Sequence, residues 1–222
     1  MLFGAVCLGA VIYVAHRFHE KAQELGLTSE SARHHVSTLG GIDGCALLSK
    51  EEVSRAIGME VVRAEADPGG SPGCVYSVQG DAGDLATKHA MRMSQELSKG
   101  NQQQMTKSQE DTIENIGKAL FHSMATAKDS GLNEHPGETP VFSFVINDDA
   151  VQFQMKVDRA TFSRIGPVAA ADIPDLGDEA FDAAGAMLLV RKGDKLVRVM
   201  YMLCPCVKDD VLPLVRRVLS GL

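Results

Sequence analysis

The chain has 222 residues, 45% hydrophobic and 23% charged, with 29 acidic against 22 basic side chains and a formal net charge of −7. No Lys/Arg stripe offsets that excess, which argues against nucleic acid as a partner, since phosphates are neutralised by grouped cations. The composition suits a folded globular body rather than a disordered chain.

Met1–Ala15 carries no charged side chain, and His16, Arg17, His19, Glu20 and Lys21 end the run. A bilayer-spanning helix needs roughly 20 apolar residues, so the run is short, close in length to a signal-peptide core. No basic segment precedes it and no small-x-small cleavage site follows it. Too little hydrophobic chain stands before Cys7 for a lipoprotein cysteine. Residues 1–16 are therefore expected to form an uncleaved membrane anchor, with a buried N-terminal helix of the body as the alternative. Residues 17–40 are expected to form a polar stalk, and 41–222 the body. Arg17 and Lys21 favour the cytoplasmic side by the positive-inside rule. The cysteines of the body favour the opposite side.

Gly40 and Gly41 break the stalk. Ser49 followed by Glu52 has capping-box spacing, Val53, Ala56 and Ile57 form one apolar face, and Gly58 stops the helix. Met59–Ala66 reads as a strand. Asp67–Gly73 is a turn, and Cys74–Val78 is the returning strand. Leu85–Lys128 is helical, with breaks near Gly100 and Gly117 and a polar middle, Lys99–Asp111, read as exposed helix or loop. After a loop over Gly131–Thr139, alternation predicts two strands, Val141–Ile146 and Val151–Val157. A second hairpin joins Ala186–Arg191 to Lys195–Leu203 through Lys192-Gly-Asp194. The last helix, Asp209–Leu219, has Val211, Leu212, Leu214, Val215, Val218 and Leu219 as its apolar set, with Pro213 placed in the first turn. The expected fold class is α+β: an antiparallel sheet of about six strands packed on one face by helices, with an N-terminal membrane-anchor helix.

Four cysteines lie in the body: Cys45, Cys74, Cys204 and Cys206. The positions of Cys45 at a helix start and Cys74 at a strand start suit a disulfide in an oxidising compartment. Two buried thiols suit them in a reducing one. Cys204-Pro205-Cys206 joins the last strand to the last helix and is the one constellation with potential chemistry. A cysteine beside a helix N-terminus has its thiolate stabilised, so the pair reads as either redox-active or a structural disulfide. If the strand continues, Met200, Met202, Cys204 and Cys206 share one face, a soft sulfur set for Cu(I). The bland reading makes the methionines core.

Other candidates are weaker. His16, His19, His34 and His35 lack ligand partners at useful spacing, and His89 and His122 sit among apolar neighbours, where packing is the expected role. Leu176–Phe181 is acidic and reads as a turn; its Asp178 and Glu179 are a candidate acid/base pair, but adjacent positions point apart. Phosphate-cradling glycine motifs and the common hydrolase motifs are absent from the sequence. No catalytic residue is assigned, and a non-enzymatic role is expected.

The combination Cys45-x-Leu-Leu-Ser-x-Glu-Glu-Val-x-x-x-Ile-Gly58, Gly73-Cys-Val-Tyr76 and Leu176-Gly-Asp-Glu-Ala-Phe181 resembles bacterial extracytoplasmic proteins and lipoproteins of unknown function. In those a C-x-L-L-[ST]-x-x-E helix start is joined by a disulfide to a later C-x-[YW] strand. The resemblance spans Cys45–Leu222 and implies an exported α+β domain with Cys45 and Cys74 paired. This sequence departs from it in lacking a lipobox and in having Cys204-Pro-Cys206. The expectation is a single-pass protein of the cytoplasmic (inner) membrane whose extracytoplasmic body binds an unknown ligand or envelope protein, with no cofactor. The alternative is a thiol-redox or copper-handling protein using Cys204 and Cys206.

Overall fold

The computed structural model describes residues 39–101, 135–164 and 170–222. The anchor over 1–16 and nearly all of the stalk over 17–40 lie outside the described residues. So do His16, His19, His34, His35 and His122, and the helical reading beyond Asn101. Among the described residues no helix is long and apolar enough to cross a membrane.

The chain enters through a short helix, α1 (Gly44–Leu47), whose N-cap Asp43 accepts the Cys45 backbone N–H at 3.0 Å. The capping box read from the sequence opens α2 (Lys50–Ile57). Ser49 Oγ accepts the Glu52 N–H at 3.2 Å, and the Glu52 carboxylate accepts the Ser49 N–H at 2.8 Å. Those two hydrogen bonds satisfy two of the orphan donors of the first turn and pull the Glu52 pKa below its ordinary value. Gly58, at φ 71°, closes the helix in the left-handed conformation that glycine adopts without strain.

A seven-stranded, wholly antiparallel sheet follows, in the order β1-β2-β3-β7-β6-β5-β4. Its strands are β1 (Val61–Ala66), β2 (Gly73–Gln79), β3 (Glu138–Asn147), β4 (Ala171–Asp172), β5 (Glu179–Ala183), β6 (Met187–Lys192) and β7 (Lys195–Met200). Between β2 and β3 runs α3 (Ala82–Asn101). After β3 comes α4 (Val151–Ser163), and the chain closes with α5 (Lys208–Ser220). The class is α+β, as expected, with five helices among the described residues packed around one sheet.

The details differ from expectation at several points. Val151–Val157 is the first half of α4 and not a strand. Its apolar residues are spaced by two, so Val151 and Met155 are also spaced by four. In the fold these two are buried together while Val157 is exposed, which is the helical period. β3 starts at Glu138, inside the expected loop, and β5 occupies the acidic stretch read as a turn. α5 begins at Lys208, which places Pro213 inside the helix beyond its first turn.

Helices cover both faces of the sheet, where one was expected. Alternate residues of β6 divide between two cores: Leu188 and Val190 join Val53, Ile57, Val211, Val215 and Val218 of α2 and α5, whereas Leu189 joins Val151 and Met155 of α4. The larger core also takes Tyr76, Phe142, Phe144 and Ile146 from β2 and β3. The buried Tyr76 hydroxyl donates to Leu48 O at 2.8 Å, tying the sheet to the α1–α2 junction. Above this junction Gly44 sits directly against the Gly73 backbone, and Gly73 against Phe144 O, with no room for a Cβ at either position. That close approach brings Cys45 to Cys74, which are joined by a disulfide with Cα atoms 4.9 Å apart.

Candidate functional site

β7 ends at Met200, and the expected strand over Lys195–Leu203 does not continue past it. Tyr201 N–H donates to Ala186 O at 2.9 Å, and Cys204 N–H donates back to Tyr201 O at 2.9 Å, so the chain turns sharply. Cys204 and Cys206 are disulfide-bonded to each other, Cα to Cα 5.1 Å, and both are fully buried in the larger core. Two residues later α5 starts, its first turn fixed by Val207 N–H donating to Asp210 Oδ2 at 2.9 Å.

The four sulfur residues considered for Cu(I) are not brought onto one face. Met200 is 49% exposed on the opposite side of the sheet from Val197 and Val199. Met202 packs beside Ala82, Ala86 and Leu203. Cys204 and Cys206 lie inward, bridged to each other.

A polar constellation surrounds the Cys204-Pro-Cys206 loop. From α3, His89 Nδ1–H donates to Cys204 O, and Arg92 Nη1–H donates to Pro205 O at 2.9 Å. Arg92 also pairs with Asp210 at 3.1 Å. The His89 ring meets Tyr201 edge-on, with centroids 6.0 Å apart. Burial pushes the His89 pKa below its ordinary value, against the pull of the Cys204, Cys206 and Gly185 backbone groups and the Asp182 carboxylate. Burial pushes the Asp182 carboxyl up, offset by the Gly185 N–H it accepts at 2.8 Å and by Lys208 and His89. The Tyr201 hydroxyl is buried with no hydrogen-bond partner among the described residues, and burial raises its pKa. His89, expected from the sequence to be packed, is indeed buried, but packed through hydrogen bonds to this loop.

Asp178 and Glu179 are each engaged with separate partners. Asp178 binds Arg191 at 3.1 Å and the Gly193 N–H at 2.6 Å. Glu179 pairs with Arg159 at 3.2 Å, and Arg159 stacks over the Phe181 ring at 4.6 Å. This lattice pins α4 to β4 and β5.

The surface that the sequence did not announce is the sheet face on which, among the described helices, only α4 packs. α4 covers β5, β6 and the near half of β7 through Phe181, Leu189 and Leu196. Beyond it, strand register aligns Glu65, Val75, Ser143, Met200 and Met187 in one row across five strands. Val75, Ser77, Ser143 and Val145 are partly buried, and Met200 is exposed. Ion pairs bound the patch on both sides: Arg63 with Glu138 at 2.7 Å, and Arg198 with Asp158 at 2.7 Å. An apolar and hydroxyl-bearing strip between charged rims suits contact with another chain or an extended ligand. The sequence signal is the alternation in β2 and β3, where Val75, Ser77, Ser143 and Val145 interleave with fully buried residues.

A concavity of about 440 Å³ lies between Gly40–Gly44 and the Asp67–Gly73 turn, and much of its lining is glycine. No protein-family model, curated protein or solved structure matches the chain.

Proposed function

We propose that the chain is a membrane-anchored extracytoplasmic binding domain. Residues 1–16 hold it at the cytoplasmic membrane, and the body presents the sheet face around Val75, Ser143 and Met200 to an envelope protein or extended ligand. The observation that carries the reading is the pair of disulfides, Cys45–Cys74 and Cys204–Cys206, which between them use every cysteine of the body. Full pairing of that kind suits an exported domain, because cytosolic thiols are kept reduced. The resemblance of the Cys45 and Cys74 motifs to bacterial extracytoplasmic proteins points the same way. Full burial of Cys204 and Cys206 favours this reading over one in which they act as a surface thiol centre or metal site.

The test is site-specific photocrosslinking in intact cells, with the probe placed in the full chain at Val75, Ser143 or Met200. A discrete crosslinked species from these three positions, absent when the probe is at Arg216 on α5 and lost on Val145→Glu, supports the reading. Equal labelling from Arg216, or none from the sheet face, contradicts it.

A further inference from the structure

The Cys204-Pro-Cys206 loop is the seat of α3. Two side chains one turn apart on that helix, His89 and Arg92, donate to successive carbonyls of the loop, those of Cys204 and Pro205. Arg92 continues to Asp210, which in turn fixes the first turn of α5. Part of the apolar contact runs to the same place: Ala82 and Ala86 pack on Leu203 and Met202, and the His89 ring packs on Tyr201, while Leu85 enters the larger core and Met93 lies against Gly185. The directions of those two carbonyls are set by the disulfide, which closes a small ring across one residue, and by the fixed φ of Pro205. Open that ring and the acceptors that hold α3 are free to rotate away.

We propose that Cys204–Cys206 is a thiol–disulfide exchange site whose reduction unlatches α3 from the sheet. The reductant is a dithiol oxidoreductase. Its thiolate attacks Cys204 Sγ, the Cys204–Cys206 bond breaks, and a mixed disulfide forms while Cys206 leaves as thiolate and takes up a proton. The second thiol of the reductant then closes its own disulfide and releases Cys204. In all, two electrons and two protons pass to the pair. Both sulfurs are fully buried when α3 is seated, so exchange proceeds from the locally opened form. Linkage makes the coupling reciprocal: what the disulfide contributes to seating α3, the seated α3 returns as resistance to reduction. This goes beyond the binding reading and does not depend on what the sheet face contacts.

Hydrogen exchange read by mass spectrometry on the full chain tests it, comparing the oxidised protein with a Cys204→Ser/Cys206→Ser variant that retains Cys45–Cys74. The latch predicts exchange roughly tenfold faster across α3, within the usual range for coupled sites, and unchanged exchange in β2 and β3. Unchanged α3 amides overturn it, and so does uniform loss of protection, which would make the bridge a general staple. The reciprocal arm keeps both disulfides and weakens only the seat. Arg92→Ala should let dithiothreitol reduce Cys204–Cys206 about fivefold faster without changing Cys45–Cys74. Equal rates in wild type and Arg92→Ala also overturn the latch.

Discussion

Burial keeps His89 neutral, its pKa held below the ordinary 6.5 because desolvation outweighs the backbone groups and the Asp182 carboxylate around it. The unfolded chain therefore binds the proton more readily than the folded one. Stability owed to neutral His89 is complete above pH 6.5 and is lost as pH falls through 6.5 toward the lower folded value. One such proton sets a slope of at most about 1.4 kcal/mol per pH unit. Asp182 acts with the opposite sign: its raised pKa makes the folded state lose stability as pH rises through 3.8 toward the raised value. Urea titrations at pH 7 and pH 5 should show a shallower pH dependence in His89→Gln than in wild type. An identical slope in the two proteins would remove His89 as the source. Tyr201 offers a second test at this scale. Its hydroxyl is buried without a partner among the described residues, so removing it should not cost what a bonded hydroxyl costs. Tyr201→Phe is expected to leave stability unchanged or raise it by up to about 1 kcal/mol, measured by chemical denaturation.

Among the elements, α2 was the most legible, because its signals are local: Ser49, Glu52 and Gly58 act on backbone groups within a turn of themselves. Ser49→Ala should lower stability by about 1 kcal/mol through loss of the N-cap, measurable as a shift in denaturation midpoint. The hairpin of β1 and β2 and that of β6 and β7 were legible for the same reason, with turn residues between alternating runs. Val151–Val157 was not. Every second residue there is apolar, and a run that short satisfies period two and period four equally, so the partner surface decides. That surface is formed by Phe181, Leu189 and Leu196 on strands later in the chain, one of them in the stretch read as a turn. β5 was hidden because Glu179 and Asp182 on it are charged, and they are accommodated by Arg159, Arg191 and the Gly185 N–H, partners that only the fold assembles. The end of β7 at Met200 likewise depends on Tyr201 reaching Ala186 O, which no spacing in Met200–Cys206 encodes.

For the whole molecule, sequence reasoning reached the class and the pairing of Cys45 with Cys74, but not the sheet face or the seat of α3. Both of the latter depend on register between segments far apart in the chain, Val75 with Ser143 and Met200 in one case, His89 with Cys204 in the other. The Cys45–Cys74 bridge closes a loop of 29 residues between the entry helix and the sheet. In the chain-entropy model it constrains the unfolded state by about 3–4 kcal/mol. Cys45→Ser/Cys74→Ser should lose stability of that order in equilibrium denaturation under oxidising conditions, and a loss below about 1 kcal/mol would show that the staple contributes little.

The compartment of the body decides whether that staple exists in the cell, and the thiol state reports it directly. Protein alkylated in intact cells before lysis, digested without reduction and read by mass spectrometry, should yield a linked Cys45–Cys74 peptide. Four alkylated cysteines in the body would place it in a reducing compartment and contradict the extracytoplasmic binding domain.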